Sequence, residues 1–279
     1  VDFALNFSPG LIAGLLLGWS VLPSVLLGGV TWISSSGIIA KVLADQGRLN
    51  NPETPSVLSI LVLEDLAMAI YLPLVAVMLL GGSAVSMAVS AGVALLAAAS
   101  VLFIALRYGE AISRWAAHES DEVVLLSTFG AVLLVAGIAQ KLRVSSAIGA
   151  FLVGVALSGP LAKQSHRLLA PLRDLFAATF FFFFGLEINP GILPPVALPA
   201  IALGTVTALT KVATGYWATP ANIGQRARIR AGLILISRGE FSIVIAGLGI
   251  ALEPRLGPLS AAYVLFLAVL GPLLAKLVR

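Results

Sequence analysis

The sequence contains no cysteine and only two histidines, and only 11% of its 279 residues are charged. The lack of cysteine excludes disulfides, thiolate catalysis and cysteine metal sites. A soluble domain carries about 25% charged residues. The low charge therefore excludes an ordinary soluble enzyme, a disordered chain and a nucleic-acid-binding module.

Apolar residues make up 59% of the chain, and the mean hydropathy is +1.05. They fall into runs near the length of about 20 residues that crosses a bilayer as a helix. We expect an all-α integral membrane protein with about ten transmembrane helices. In chain order the predicted spans cover 4–19, 21–44, 55–80, 84–107, 121–141, 145–159, 168–187, 194–218, 228–251 and 258–277.

The distribution of lysine and arginine predicts the orientation of these spans. With ten spans, twelve basic residues fall on one side of the membrane and three on the other. Cytoplasmic loops carry the excess of positive charge, so the richer side is expected to be cytoplasmic, together with both chain ends. The twelve are Lys41, Arg48, Arg107, Arg114, Lys163, Arg167, Arg173, Arg226, Arg228, Arg230, Lys276 and Arg279; the three are Lys141, Arg143 and Arg255.

The first three and the last three spans run in opposite directions in this topology. Inverted repeats of this kind, with interrupted helices, are typical of secondary transporters. The middle span of each triplet contains glycine, serine or charged residues that favour an interruption, in the segments GGVTWISSSGIIA and ISRGEFSIVIAG. We therefore predict an inverted-repeat fold with two discontinuous helices that cross.

Five ionisable residues lie inside the predicted spans, namely Glu64, Asp65, Lys211, Arg238 and Glu240. Such groups are costly in a bilayer, so they usually face the bundle interior and mark an ion or proton pathway. Two adjacent helical residues point about 100° apart. One acid of the Glu64–Asp65 pair can therefore face an aqueous cavity while the other faces a neighbouring helix.

Two carboxylates this close resist simultaneous ionisation unless a cation binds nearby, so protons and a metal cation would compete for them. We predict Asp65 and Glu64 as ligands of the cation and the proton. Further oxygen ligands are expected from the interrupted span, namely the hydroxyls of Ser34, Ser35 and Ser36. Lys211 is the expected charge partner of Glu64, and Arg238 and Glu240 are further charge partners.

Each of these residues also has a structural interpretation. Lys211 could lock two helices together through a buried pair instead of carrying protons. Arg238 and Glu240 could neutralise the ends of the interrupted helix. The three serines could join helices by hydrogen bonds. His118 and His166 are expected in solvated loops, and the run Phe180–Phe184 is expected to be apolar filler or lipid contact.

At these residues the chain resembles the monovalent cation:proton antiporter-2 family, which holds Kef-type potassium/proton and related sodium/proton exchangers. The resemblance extends over nearly the whole chain in the family's order. It is carried by WISSSGIIAKVLADQGRLNNP, SVLSILVLEDLAMAIYLPL, SSAIGAFLVGVALS, LLAPLRDLFAATFFFFFGLEINP, LTKVATGY and RAGLILISRGEFSIVIAG.

The resemblance implies specific roles and a domain organisation. Asp65 matches the family's essential ion- and proton-binding aspartate, and Lys211 matches a lysine that pairs with the preceding acid. Glu64 differs from the glutamine found there in many Kef-type members. The family fold implies core helices at 1–80 and 191–279, a linker helix at 81–107 and panel helices at 108–190. About three further helices are expected before Val1, and a homodimer is expected for the full-length protein.

We predict a secondary transporter, not an enzyme, that exchanges sodium or potassium for protons by elevator-type alternating access. No cofactor and no nucleic-acid partner are expected. The predicted location is the inner or plasma membrane, with the C-terminus in the cytoplasm. The alternatives are a proton-uncoupled cation channel, a regulated potassium efflux system and an inactive fragment of an antiporter. An intramembrane hydrolase is disfavoured because both histidines lie outside the predicted spans.

Overall fold

A computed structural model describes residues 1–81, 119–141, 159–187 and 193–277, with isolated residues between these ranges. The described part is helical and contains no strand. Its helices are α1 (Asp2–Leu16), α2 (Val21–Trp32), α3 (Ser36–Asp45), α4 (Thr54–Leu80), α5 (Asp121–Lys141), α6 (Gly159–Glu187), α7 (Leu193–Ala218), α8 (Gln225–Ile234), α9 (Glu240–Gly249) and α10 (Leu256–Leu277).

Within the described ranges, five stretches are long and apolar enough to cross a membrane, which agrees with an all-helical membrane protein. They are Val21–Asp45, Thr54–Leu79, Asp121–Ile138, Leu193–Ala218 and Leu256–Leu277. Two shorter apolar helices, Asp2–Leu16 and Glu240–Gly249, coincide with parts of other predicted spans. The predicted spans 84–107 and 145–159, and with them the linker helix, lie almost entirely outside the described residues.

One predicted helix begins earlier than the apolar run suggested. Helix α6 starts at Gly159, nine residues before the predicted span at 168–187. His166 is therefore an exposed helical residue and not a loop residue, whereas His118 lies outside the described residues. Hydropathy places the apolar part of a helix, and the polar turns that extend it carry no such signal.

The chain divides into two compact units, of which the first comprises Val1–Leu66 with Phe184–Arg279 and the second Ala67–Phe183. In the first unit α1 packs on α2 and α7, and α7 packs on α8 and α10. In the second unit, α5 and α6 are joined by a Thr128–Ser165 hydroxyl contact of 3.1 Å and by Arg167, which donates to Asp121 at 2.8 Å.

Small residues allow the close approach of helices in the first unit. A Cβ atom on Gly215 of α7 would lie 2.2 Å from the backbone nitrogen of Gly232 in α8. A Cβ atom on Gly10 of α1 would lie 2.3 Å from the carbonyl oxygen of Leu27 in α2. Glycine at such contacts lets helix backbones pack directly in a membrane protein. These contacts bring α1, α2, α7 and α8 together around the site described below.

Both predicted interruptions are present in the structure. Helix α2 ends at Trp32 and α3 begins at Ser36, while α8 ends at Ile234 and α9 begins at Glu240. The two non-helical segments meet, because the backbone N–H of Ser35 donates to the carbonyl oxygen of Ser237 at 2.9 Å. The Ser35 hydroxyl also accepts from the Ile38 N–H and so caps α3. The crossing point thus brings four helix ends to one place.

A buried ion pair ties the segment before α4 to α8. The Glu53 side chain is fully buried, and its carboxylate accepts from Arg230 at 2.9 and 3.0 Å. Burial alone would raise the pKa of Glu53, but the hydrogen bonds from Arg230 and Asn51 outweigh it and hold the pKa below the ordinary value of 4.5.

We expect Glu53→Gln to destabilise the protein by about 3 kcal/mol at neutral pH, since it leaves the Arg230 guanidinium without its charge partner. A carboxyl with a lowered folded pKa contributes stability above its unfolded pKa and loses it as pH falls through the folded value. The difference in melting temperature between wild type and variant should therefore shrink below pH 4.5. Lys41→Gln, which breaks an exposed pair with Asp45, is the control and should have little effect.

Candidate ion-binding site

Glu64 of α4 lies beside the break between α2 and α3. Its side chain is only 2% exposed. The backbone N–H of Ser34 donates to Glu64 Oε2 at 2.7 Å, and the Ser34 hydroxyl donates to Oε1 at 3.2 Å. The Ser34 N–H is free to do this because it lies in the non-helical segment, outside the hydrogen-bond ladder of either helix. The break therefore supplies a backbone donor to a buried carboxylate.

Lys211 of α7 places a positive charge beside Glu64. Its side chain is fully buried, and its ammonium group bonds both to Glu64 Oε1 and to Asp2 Oδ1, the latter at 2.8 Å. A buried ammonium is stable only where it is paired and hydrogen-bonded. The expected pairing of Lys211 with Glu64 is present in this geometry, and a second carboxylate shares the lysine.

Asp2 is the residue that sequence reasoning missed. The first predicted span begins at residue 4, so the sequence places Asp2 outside the membrane. In the structure it lies in the first turn of α1, where Oδ2 accepts from Trp32 Nε1 at 2.8 Å and Oδ1 accepts from Asn6 Nδ2 at 2.9 Å. The available signal was polar spacing, because an acid and an amide four residues apart share one helix face.

Asp65 follows Glu64 but contacts a different partner. The Ser36 hydroxyl donates to Asp65 Oδ2 at 3.1 Å. The other oxygen, Oδ1, is buried and has no hydrogen-bond partner among the described residues. A buried acceptor without a partner is rare in folded proteins and calls for a ligand, a water molecule or a proton. Asp65 thus keeps one buried oxygen without a hydrogen-bond partner among the described residues, whereas both oxygens of Glu64 accept hydrogen bonds.

The hydroxyls of the three consecutive serines each lie within hydrogen-bond distance of a different acid, and that of Ser34 is equally close, at 3.2 Å, to the Leu235 carbonyl oxygen. Ser34 donates to Glu64, Ser36 donates to Asp65, and the Ser35 hydroxyl donates to Glu240 Oε2 at 3.3 Å. A serine hydroxyl that donates its proton retains two lone pairs, so it can also accept from a donor or coordinate a cation. The break therefore places three hydroxyl groups and three carboxylates within one region.

Arg238 lies in the non-helical segment between α8 and α9. Its side chain is fully buried, and its guanidinium donates to the carbonyl oxygens of Thr31 at 2.9 Å, Leu235 at 3.1 Å and Ile236 at 3.2 Å. It also donates to the Tyr263 hydroxyl at 3.1 Å. Thr31 and Leu235 lie at the C-terminal ends of α2 and α8, where carbonyls lack helical partners and carry partial negative charge.

Glu240 lies at the N-terminal end of a helix, whereas the carbonyl partners of Arg238 lie at C-terminal ends. It is the first residue of α9, where the free N–H groups favour a negative charge. Among the described residues, Arg238 and Glu240 make no salt bridge with each other, and each instead faces a helix end. The arrangement matches the structural interpretation of these two residues, while their role as charge partners of the site stays a prediction.

The oxygen atoms near Asp65 are of a kind that binds cations. Within the ranges the structure describes, no group of three or more histidine, cysteine, aspartate or glutamate side chains is placed to hold a metal ion. Hard monovalent cations bind carboxylate, hydroxyl and carbonyl oxygens, all of which are present here.

Comparison with known proteins finds a matching family model and relatives that are named as antiporters. Residues 1–276 match the family model described as sodium/hydrogen exchanger, transmembrane. The chain is 40% identical over 283 residues to the K(+)/H(+) antiporter subunit KhtU of Bacillus subtilis, covering 98% of this chain and 69% of that protein.

Two further relatives are named as antiporters of other cations. The ammonium/H(+) antiporter subunit AmhT of Alkalihalophilus pseudofirmus is 32% identical over 287 residues, covering 98% of this chain and 71% of that protein. The high-affinity Na(+)/H(+) antiporter NhaS3 of Synechocystis is 25% identical over 275 residues, covering 93% and 58%. These matches confirm the resemblance to cation:proton antiporters, which are transporters and not enzymes. The chain belongs to the sodium/hydrogen exchanger family of transmembrane cation:proton antiporters.

Proposed function

We propose that the protein exchanges a monovalent cation for protons across a membrane, with Asp65 as the group that binds each in turn. The observation that carries this proposal is the Oδ1 of Asp65, which is buried beside the crossing of two broken helices and has no hydrogen-bond partner among the described residues. A carboxylate that holds either a proton or a cation, but not both, couples the two fluxes.

The neighbouring acid has a different part in the proposal. Glu64 is held by Ser34 and Lys211, so it balances the lysine charge next to the ion site and does not bind the cation alone. The hydroxyl of Ser36 lies beside Asp65 and would be a cation ligand. Ser34 and Ser35 would supply further oxygens once the cation enters.

We further propose the antiporter architecture that the sequence predicts. It has ten spans in an inverted repeat, core helices at 1–80 and 191–279, a linker at 81–107 and panel helices at 108–190. The core would move like an elevator against the panel. Support comes from the two interruptions, which fall in the middle span of each predicted triplet and meet at Ser35 and Ser237.

For the cargo we propose potassium first, because the 40% identical relative is named a K(+)/H(+) antiporter subunit. Sodium and ammonium are the other cations that relatives carry in their names. We propose a homodimer in the inner or plasma membrane, with the C-terminus in the cytoplasm. The partners of the transport reaction are then the bilayer, the cation and the proton.

Proton flux in proteoliposomes tests this function. Vesicles containing the protein and a pH-sensitive dye receive a preset pH gradient, and potassium, sodium or ammonium is then added in separate trials. A permeant anion is present so that no membrane potential develops. We expect potassium to dissipate the gradient in proportion to its concentration. Proton release no faster than in protein-free vesicles with all three cations would refute the proposal.

A further inference from the structure

Lys211, the buried lysine of the site, contacts two acids, of which the proposed cycle uses only Glu64. Lys211 is fully buried, and its ammonium contacts Glu64 of α4 and Asp2 of α1. The two acids differ in exposure, since the Glu64 side chain is 2% exposed and that of Asp2 is 22% exposed. A single carboxylate would neutralise one lysine, so the second acid needs an explanation.

Asp2 is held in place independently of the lysine. The Trp32 indole N–H donates to Asp2 Oδ2 at 2.8 Å, and the Asn6 amide donates to Oδ1 at 2.9 Å. Asn6 is itself held by α7. Its side-chain Nδ2 donates to the Thr214 hydroxyl at 3.0 Å, and its side-chain Oδ1 accepts from the Thr210 hydroxyl at 2.8 Å. Asp2 thus has two hydrogen-bond donors besides the lysine.

We propose that Asp2 is a positioning residue of the transport cycle, which shares the Lys211 ammonium with Glu64 and so reduces the repulsion that this ammonium exerts on a cation at Asp65. This inference rests on the proposed function. Asp2 touches neither Asp65 nor, in the proposal, the cargo, and it acts through the lysine alone.

The charges explain the direction of the effect. With both carboxylates ionised, Asp2, Glu64 and Lys211 together carry one net negative charge, which favours a cation at the adjacent Asp65. With Asp2 neutral, the three groups carry no net charge, and the ammonium is bound by Glu64 alone. The cation then enters a less negative site, so its apparent affinity falls while the groups that carry it remain intact.

Asp2→Asn is the direct test, because asparagine keeps the size of the side chain and removes its charge. We expect the apparent KM for the cation active in wild type to rise roughly fivefold or more, a typical coupling between neighbouring sites. The maximal rate should fall by a smaller factor than KM rises. Asp2→Glu should restore KM most of the way towards the wild-type value.

Controls separate this role from a purely structural one. Asp45→Asn removes an exposed acid that pairs with Lys41, and it should leave KM unchanged. A structural Asp2 would lower the amount of folded transporter, and hence the maximal rate, with KM unchanged in both Asp2→Asn and Asp2→Glu. That outcome overturns the inference. If the wild-type protein shows no exchange with any cation, the proposed function itself fails, which is a distinguishable result.

The pairing can also be measured without transport. In a Glu64→Gln background, Asp2→Asn and Lys211→Gln are combined in a double-mutant cycle of thermal unfolding. A non-additive result is expected, because the two groups then neutralise each other without a competitor. Additive shifts in melting temperature would contradict the Asp2–Lys211 interaction on which the inference depends.

Discussion

Asp65→Asn is expected to abolish cation-driven proton release while leaving the protein folded. The asparagine carbonyl oxygen can still accept the hydrogen bond that Ser36 donates, so the local contact is kept. The amide has no charge to attract a cation and no proton to exchange near neutral pH. Flux in proteoliposomes should fall to that of protein-free vesicles, and the melting temperature should change little.

Asp45→Asn is the matched control for this variant. Asp45 is the last residue of α3, and its side chain is 60% exposed and paired with Lys41. Exposed pairs of this kind contribute little to stability. Normal flux in this variant shows that loss of an acid elsewhere does not stop transport. Wild-type flux in Asp65→Asn itself would show that another group carries the proton and would refute the assignment of the site.

Lys211→Ala is expected to cause the largest loss of stability. The lysine is fully buried, and its removal leaves the charge of Glu64 buried with only the Ser34 donors. Removing one partner of a buried ion pair costs about 3 to 5 kcal/mol. In a domain of this size, that loss should lower the melting temperature by about 10 °C in detergent.

The double variant Glu64→Gln/Lys211→Gln tests whether the pair itself causes this loss. It removes both charges together and leaves two amides that can bond to each other, so it should melt at a higher temperature than Lys211→Ala. Asp2 loses its lysine in both variants but keeps the donors Trp32 and Asn6. Equal melting temperatures for the two variants would show that Glu64 and Lys211 do not stabilise each other.

Some of this arrangement can be predicted from the sequence because the signals are local. Charged residues within apolar runs are unusual, so Glu64, Asp65 and Lys211 stand out without any structure. Glycine and serine interrupt helices, and the break before Ser36 occurs where the serines cluster. The confirmed membership in a cation:proton antiporter family follows from such local segments in their order along the chain.

The rest depends on contacts between distant parts of the chain. Asp2 and Lys211 are separated by 209 residues, and no local pattern connects an acid in the first turn of α1 with the middle of α7. The partners of Arg238 are backbone carbonyls, which carry no sequence signal at all. The distribution of three serines over three acids depends on the direction of each hydroxyl in the break. Local sequence patterns therefore do not predict these features.

Cation accumulation driven by a pH gradient tests the central claim, coupled exchange at Asp65, most directly. Proteoliposomes are made acidic inside, a permeant anion removes the membrane potential, and uptake of potassium, sodium or ammonium is followed over time. A coupled antiporter should concentrate at least one of these cations above its external level, and Asp65→Asn should not. Uptake that stops at the external concentration in wild type would indicate an uncoupled channel and would contradict the account.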